Sequence, residues 1–261
     1  MGPGPLAGLT AGAVLVAVVV TFGIARLRGR YDTIDTFWGL GFALVAVIAF
    51  PLGTGPLSLR LVTAALTVVW GVRLAVHLHL RNRRGPEDPR YQRMVERAGA
   101  NPGARIFVRV YLVQAVILWF VSLPVLFAMY GTGLGVLGWA GVAVWLVGFT
   151  FESVGDAQLS RFRADPANRG KVLDTGLWHY TRHPNYFGDA CVWWGLYLLA
   201  CSTWPGAATI LSPIAMTYTL ARGTGKPMLE KSLARSRPGY AAYVARTSGF
   251  VPLPPKRLTR P

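Results

Sequence analysis

The sequence is poor in charged residues, and in acidic ones above all. It has 11 Asp and Glu residues against 27 Lys and Arg residues, and 15% of its 261 residues are charged while 52% are apolar. This balance excludes an ordinary soluble domain of this size. Seven mostly apolar runs, most of them close to the roughly 20 residues that cross a bilayer as a helix, predict an all-α integral membrane protein with a seven-transmembrane helix bundle. These runs are residues 5–25, 37–55, 59–80, 106–130, 134–158, 187–205 and 206–220.

Cysteine is nearly absent, which excludes a disulfide framework. Cys191 and Cys201 lie ten residues apart in one predicted span, too far along a helix axis for the Cα separation of at most about 7 Å that a disulfide needs. No repeat at solenoid periods and no long linker are visible, so we expect residues 1–261 to form a single membrane domain. The first apolar run has no basic residue before it, and we expect it to remain as a span rather than to be cleaved.

Basic residues are concentrated in alternate predicted loops. The formal net charge of +16 would suit a nucleic acid, but in a membrane protein the placement of Lys and Arg reports orientation instead. Segments 26–36, 81–105 and 159–186 and the tail from Arg222 hold 24 of the 27 basic residues. All four lie on one side of a seven-span protein. The positive-inside rule therefore predicts an external N-terminus and a cytoplasmic tail, in a bacterial inner membrane, with membrane lipids and no nucleic acid as partners.

A polar stretch, GLWHYTRHPNYFGD, stands at the threshold of the sixth predicted span. Pro184 suits the first turn of a helix, and Asn185, Asp189 and Trp193 then recur every four residues along one helix face. An aspartate at membrane depth costs several kcal/mol and usually faces the bundle interior or a polar cavity. The pattern indicates a binding site. The alternative is that Asp189 pairs with an arginine to hold helices together.

The segment before it, DAQLSRFRADPANRGK, is strongly basic. Asp156 and Arg163 are seven residues apart and share a face of the helix that leaves the fifth span. Arginines beside a helix N-terminus suit a phosphate-rich ligand, although attraction to lipid headgroups would also explain them. A membrane-surface patch gains nothing from an acid, so Asp156 favours the ligand.

Further candidates lie in the tail and in the N-terminal half. Arg222, Glu230 and Tyr243 are the tail residues that we single out, on a segment expected on the membrane surface or over the cytoplasmic helix ends. Asp35 begins the second span, and His77 lies one helical turn after Arg73 in the third. Either site could line a substrate cavity or form a structural hydrogen-bonded pair.

Two motif matches are rejected. GLGVLG, residues 133–138, fits the dinucleotide fingerprint but follows no strand, so it is interpreted as a glycine-rich turn. His179 and His183 have the spacing of two zinc ligands, but Pro184 starts a new helix directly afterwards and no Glu follows His179. No metal site is predicted.

Read together, GLWHYTRHPNYFGD, DAQLSRFR and the tail LEKSLARSRPGYAAYVARTSGFVPLPP resemble the steroid 5-alpha-reductase-like membrane enzymes. The bacterial DUF1295 branch is the most similar, and YDTIDTFWGLGF and HLHLRNRRGPEDPRY also resemble it. The resemblance implies a seven-helix fold in which cytoplasmic loops and the tail, within residues 150–261, form an NADPH site. It also implies a lipophilic enone-type substrate, steroid- or lipid-like, in a cavity between the N-terminal helices within residues 1–149.

The resemblance also assigns residues. It implies NADPH contacts at Asp156, Arg163, Asn185, Asp189, Trp193 and Arg222, with Asp189 where the family usually has Glu. The candidate cofactor set is completed by neighbours in the same motifs: Tyr180, Arg182, His183, Tyr186, Glu230 and Tyr243. Glu152, Lys226 and Glu230 depart from the steroid enzymes, which have Asn, His and Tyr there. The substrate-polarising Glu of those enzymes has no motif match, and Asp35 and His77 are the candidate catalytic residues.

Two other functions remain open. Isoprenylcysteine carboxyl methyltransferases share the RHP motif and the glycine after it, and they bind S-adenosylmethionine. Asn185 after Pro184 and an acid after Gly188 favour the reductase, and the paired glutamates of the methyltransferase tail are replaced by Glu230 and Lys231. A non-catalytic lipid-binding or transport protein is the second alternative, because an intramembrane ionisable residue need not be catalytic.

Overall fold

Long apolar helices build this protein. The structure, a computed structural model, describes residues 1–83, 85–97, 99, 101–223 and 225–256. In that part of the chain five helices are long and apolar enough to cross a membrane, which indicates a membrane protein. In chain order the helices are α1 Pro3–Arg28, α2 Thr33–Leu52, α3 Leu57–Asn82, α4 Pro89–Glu96, α5 Pro102–Ala128, α6 Val136–Ala164, α7 Pro184–Ala200, α8 Leu211–Ala221, α9 Lys226–Ser236 and α10 Tyr240–Arg246.

The first five predicted spans correspond to α1, α2, α3, α5 and α6. The last two do not reach the same length. α7 has 17 residues, about 25 Å at 1.5 Å per residue, against a hydrocarbon core of about 30 Å. The run at 206–220 is divided into two short turns, Trp204–Ala207 and Ala208–Ile210, followed by the 11 residues of α8. The seven-span topology therefore stays a prediction.

The chain is divided into two compact units. The first consists of Met1–Trp139 and Leu196–Ser212, and the second of Ala140–Gly195 and the residues from Pro213 onward. In the first unit α2 and α3 approach backbone to backbone at Gly39 and Gly71, where a Cβ on either glycine would overlap the carbonyl of the other. Phe42 and Trp70 pack beside this crossing with ring centroids 5.5 Å apart.

The second unit is built on an equally close crossing. Gly141, Gly148 and Gly155 recur every seven residues along α6, opposite Gly188 and Gly195 of α7. A Cβ on Gly148 would lie 2.5 Å from the carbonyl oxygen of Gly188, and one on Gly195 would lie 2.6 Å from that of Gly141. Small residues that let two helices touch are typical of membrane helix pairs. They bring the polar end of α7 against α6.

Candidate functional site

The polar start of α7 lies against the C-terminal half of α6, within the second unit. The side-chain amide of Asn185 donates to Asp156 Oδ1 at 3.1 Å. A Cβ on Gly155 would lie 3.1 Å from Pro184 Cγ, so the missing side chain at Gly155 allows this approach. The structure thus brings together Asn185 and Asp156, two of the residues that the sequence singled out.

Carboxylates are concentrated at this crossing. Glu152 and Asp156, one helical turn apart on α6, are only 3% and 6% exposed. Asp189 is half-buried one turn after Asn185 on α7, and Trp193, a further turn on, is fully buried. The face of α7 that the sequence singled out thus runs from the polar helix start into the protein interior.

Residues 174–183, called the 174–183 loop below, pack over the end of α6. The indole N–H of Trp178 donates to the carbonyl of Gly155 at 3.1 Å, and the backbone N–H of Leu177 donates to Gln158 Oε1 at 3.0 Å. These bonds fix the loop from one side. They also fix the chain direction in which Pro184 starts α7.

The tail fixes the same loop from the other side. A parallel bridge joins Thr181 to Ser248, in which the backbone N–H of Arg182 donates to the Ser248 carbonyl at 2.9 Å. The hydroxyl of Thr181 donates to the Phe250 carbonyl at 2.8 Å, and the phenol of Tyr243 donates to the Trp178 carbonyl at 2.5 Å. The loop therefore takes its shape from residues more than 60 positions later in the chain.

Arg182, His183 and Glu230 form one hydrogen-bonded group, called the Arg182 cluster below. Arg182 Nε donates to Glu230 Oε1 at 2.8 Å, and Arg182 Nη1 donates to the carbonyls of Val244 and Thr247 at 3.1 and 2.6 Å. The guanidinium is 9% exposed. Arg182 thus ties the loop to α9 and to the end of α10.

His183 completes the cluster. Its Nε2 lies 3.1 Å from Glu230 Oε1, and its ring stacks on Tyr186 with centroids 5.2 Å apart. Burial lowers the pKa of His183 below its ordinary 6.5 even though Glu230 opposes this, so the ring is neutral at physiological pH and donates Nε2–H to the carboxylate. Burial would raise the pKa of Glu230, but the hydrogen bonds from His183 and Arg182 outweigh it and hold that pKa at about 2.

Exposed groups surround this framework. Arg163 is exposed on the last turn of α6, Arg222 is exposed after α8, and Tyr180 is 46% exposed on the loop. Lys226, which begins α9, and Arg182 Nη2 both face Gly249, where a Cβ would lie 3.1 Å from the latter. The second unit therefore combines buried carboxylates with cations at its surface.

The candidate catalytic residues lie in the first unit. Asp35, in the first turn of α2, accepts a hydrogen bond from the phenol of Tyr91 on α4, with 2.7 Å between the oxygens. Its Oδ2 lies 3.9 Å from Arg81 Nη2 and 3.8 Å from Arg90 Nη2. Burial and then the charge of Asp35 raise the pKa of Tyr91, so the phenol keeps its proton. His77 is half-buried on α3.

Sequence reasoning missed two groups. Tyr91 lies in basic segment 81–105, and its position on a short polar helix gives no signal for a partner 56 positions away. Thr181 was passed over between conspicuous neighbours, although its hydroxyl anchors the tail. Tyr91 is 4% exposed, and this burial is the signal that the sequence does not carry.

The fold and this geometry define an all-helical membrane protein. A family model described as "Protein of unknown function (DUF1295)" matches residues 21–247, and the chain belongs to this family. It is similar to an uncharacterized protein of Schizosaccharomyces pombe, with 22% identity over 270 aligned positions that cover 89% of this chain and 76% of that protein. No solved structure matches the chain.

Proposed function

We propose that the protein is an NADPH-dependent membrane reductase of an activated carbon–carbon double bond in a lipophilic, steroid- or lipid-like substrate. The observation that carries the proposal is the Asn185–Asp156 hydrogen bond at the start of α7, beside the half-buried Asp189. Polar and ionisable groups at the start of a membrane-entering helix usually face the bundle interior or a polar cavity, where they mark a binding site. The steroid 5-alpha-reductase-like resemblance supports the choice of cofactor.

The residues of the second unit fit such a cofactor in charge and in hydrogen bonding. Asp156 and Asp189 can accept from ribose hydroxyls and from a carboxamide, and Asn185 can both donate and accept. Exposed Arg163 and Arg222 supply cations for phosphates. The N-terminus of α7 adds the partial positive charge of its helix dipole. When bound, NADPH supplies a hydride for the β-carbon of the substrate.

The Arg182 cluster has a positioning role in this proposal. Arg182 already donates to one carboxylate oxygen and two backbone carbonyls. It therefore holds the 174–183 loop and the tail in the shape that presents Tyr180, Tyr186 and Asn185. Tyr243 acts in the same way through its bond to the Trp178 carbonyl.

Asp35 and Tyr91 are proposed to polarise the substrate carbonyl. Tyr91 keeps its phenolic proton, and Asp35 Oδ2, which lies 3.8 Å from Arg90 and 3.9 Å from Arg81, is shielded from solvent and accepts no hydrogen bond in the described part of the chain. Buried polar atoms of this kind are rare, and a ligand group is one way to satisfy them. On substrate binding, the Tyr91 proton that is now donated to Asp35 Oδ1 would turn to the oxygen where negative charge develops.

Charge argues against the methyltransferase alternative. S-adenosylmethionine carries a cationic sulfonium, an ammonium and one carboxylate but no phosphate, so its carboxylate is the one group that an arginine can pair with. NADPH is a polyanion, for which Arg163 and Arg222 are suited. Both ligands belong in one experiment, because the two families share the RHP motif.

The first test is equilibrium binding of NADPH, NADH and S-adenosylmethionine to the detergent-purified protein. We expect saturable NADPH binding that weakens about 10- to 100-fold in Asp189→Ala, the effect of losing a hydrogen bond to a charged group. Asp165→Asn is the matched control, since it removes an exposed carboxylate from the neighbouring loop. Binding of S-adenosylmethionine alone would instead establish the methyltransferase, and binding of none would favour a non-catalytic lipid protein.

A second test separates catalysis from cofactor binding. With an enone substrate of steroid or lipid type, Tyr91→Phe should lower kcat about 100-fold, because it removes the proton donor. NADPH affinity should be unchanged, since Tyr91 lies outside the cofactor set. Unaltered turnover in this variant would remove Tyr91 from the mechanism and leave the cofactor assignment unchanged.

A further inference from the structure

A basic cleft lies in the first unit at the end of α1 and α3, and the proposed reductase site does not use it. It is lined by the last turn of α1, the link to α2, the first turn of α2 and the end of α3. The lining residues are Arg28, Arg30, Asp32, Thr33, Thr36, His79, Asn82 and Arg83.

Charge in the cleft is only partly compensated. Arg30 donates to both oxygens of Asp32, at 3.2 and 2.8 Å, and to the Asn82 carbonyl at 2.9 Å. Arg30 and Asp32 therefore neutralise each other and form the floor. Arg28 and Arg83 are exposed, and within the described ranges no carboxylate lies within ion-pairing distance of either. Two arginines thus carry the net positive charge of the cleft.

The cleft also has donors that suit an anion. Thr36 stands on the first turn of α2, where the helix dipole favours negative charge, whereas the Thr33 hydroxyl already donates to the Arg30 carbonyl at 2.8 Å. Asn82 Nδ2 is shielded from solvent and has no hydrogen-bond partner among the residues that the structure describes. Two guanidinium groups with hydroxyl and amide donors are typical of a phosphate site.

The surroundings distinguish a lipid from a soluble anion. α1, α2 and α3 are apolar helices that can cross a membrane, so the cleft at their ends lies at the level of the headgroups. Leu27, next to Arg28, is 91% exposed, and Ile24, one turn earlier, is 44% exposed. On α3, Val72 and Val76 are 43% and 52% exposed. Apolar side chains on both helices can contact the acyl chains of a lipid whose headgroup lies in the cleft.

We propose that this cleft binds the phosphate headgroup of an anionic membrane phospholipid through Arg28 and Arg83. The site is separate from the cofactor residues of the second unit. The lipid proposal therefore does not depend on the reductase proposal.

The test is binding of phosphatidylglycerol, against phosphatidylcholine, to the full-length protein by native mass spectrometry from detergent. We expect retention of phosphatidylglycerol, and a loss of about 30-fold in Arg28→Gln/Arg83→Gln, the effect of removing two cations near a membrane surface. Arg235→Gln/Arg237→Gln is the charge-matched control, because it removes two arginines from α9 and the residue after it. Equal phosphatidylglycerol retention in the two double variants would overturn the proposal.

Two further measurements cover other outcomes. If inorganic phosphate at millimolar concentration displaces the lipid completely, or if the cleft variant loses NADPH affinity instead, the ligand is a soluble phosphate and the lipid proposal fails. If the glutamine variant does not fold, a photoreactive phosphatidylglycerol should label residues 28–36 and 79–83 of the wild-type protein. Labelling confined to other segments would overturn the proposal in that case.

Discussion

Glu230 is the residue on which the shape of the 174–183 loop depends most directly. One carboxylate oxygen, Oε1, accepts from both Arg182 and His183, and the side chain is 21% exposed. A charge-assisted bond of this kind is worth more than a neutral one, and removing a single partner leaves the buried Arg182 without its counter-ion. We expect Glu230→Gln to lower the free energy of unfolding by about 1 to 3 kcal/mol at pH 7.

The pH dependence of stability follows from the same cluster. The folded pKa of Glu230 is about 2, below its ordinary 4.5, so its contribution is complete above about pH 4.5 and is lost as the pH falls toward 2. The pKa of His183 is also lowered, so its contribution is present above about 6.5 and decreases below it. Both effects have the same sign.

Thermal unfolding in detergent between pH 3 and 8 measures this prediction. Wild-type protein should lose Tm steadily as the pH falls, and Glu230→Gln should lose less than the wild type between pH 4.5 and 3. Glu96→Gln, an exposed carboxylate on α4, is the control and should follow the wild type. Parallel curves for wild type and Glu230→Gln would show that the cluster does not control acid stability.

The sequence indicated which side chains are candidates for the site but not which of them touch. Asn185 and Asp156 were singled out separately, each on a helix whose direction the sequence indicates, and their roles stay predictions. The contacts of Arg182 gave no signal, because two of its acceptors are backbone carbonyls 62 and 65 positions away. Any residue has a carbonyl, so the identities of Val244 and Thr247 give no signal.

At the scale of helices, the crossing of α6 and α7 determines where the candidate site lies. A Cβ on Gly188 would lie 2.5 Å from the carbonyl oxygen of Gly148 and would push α7 away from α6. We expect Gly188→Ala to lower the free energy of unfolding by about 1 to 3 kcal/mol, as overpacking does, and to weaken the Asn185–Asp156 contact. Heat inactivation of the purified protein measures the first effect, and NADPH affinity measures the second.

Gly8→Ala is the control for this substitution. Gly8 also lies within an apolar helix, but nothing lies within 4 Å of the position that its Cβ would occupy. The change should therefore leave stability within about 0.5 kcal/mol. Similar losses in the two variants would mean that the α6–α7 crossing does not govern the response, since Ala is a better helix former than Gly.

Hydropathy predicted the helices well where nothing interrupts them. The five long runs became α1, α2, α3, α5 and α6 with ends shifted by a few residues. The prediction was weaker after α7, because Pro205 and Gly206 follow the Thr203 cap and divide the run into short turns. The mean hydropathy of the run stays high across such a break, but a proline without a backbone N–H interrupts the helix.

For the whole molecule, the distribution of basic residues predicts orientation. In a Cys191→Ala/Cys201→Ala background, Thr54→Cys between α2 and α3 should react with a membrane-impermeant maleimide on intact cells. Ala234→Cys on α9 should react only after the membrane is opened, because the positive-inside rule predicts that the basic segments face the cytoplasm. Both positions are exposed. The reverse pattern would contradict the external N-terminus.

The two compact units were not predictable. Residues 196–212 belong with the N-terminal unit although they follow the start of α7, so the division does not fall at a linker. The sequence shows one continuous apolar pattern through this region. Only the contacts of each residue in three dimensions assign it to one unit or the other.

The bridge between Thr181 and Ser248 can form only after the ribosome has synthesised the tail. Trp178 and Tyr243, which bond beside it, are 65 residues apart, and at 5 to 20 residues per second the ribosome needs about 3 to 13 seconds to cover that distance. During this interval the 174–183 loop has been synthesised, but the Ser248 and Phe250 carbonyls to which it donates have not. The nascent loop is then open to proteases and chaperones. Substitutions in the tail should consequently lower the amount of protein in the cell before they change what each finished molecule does.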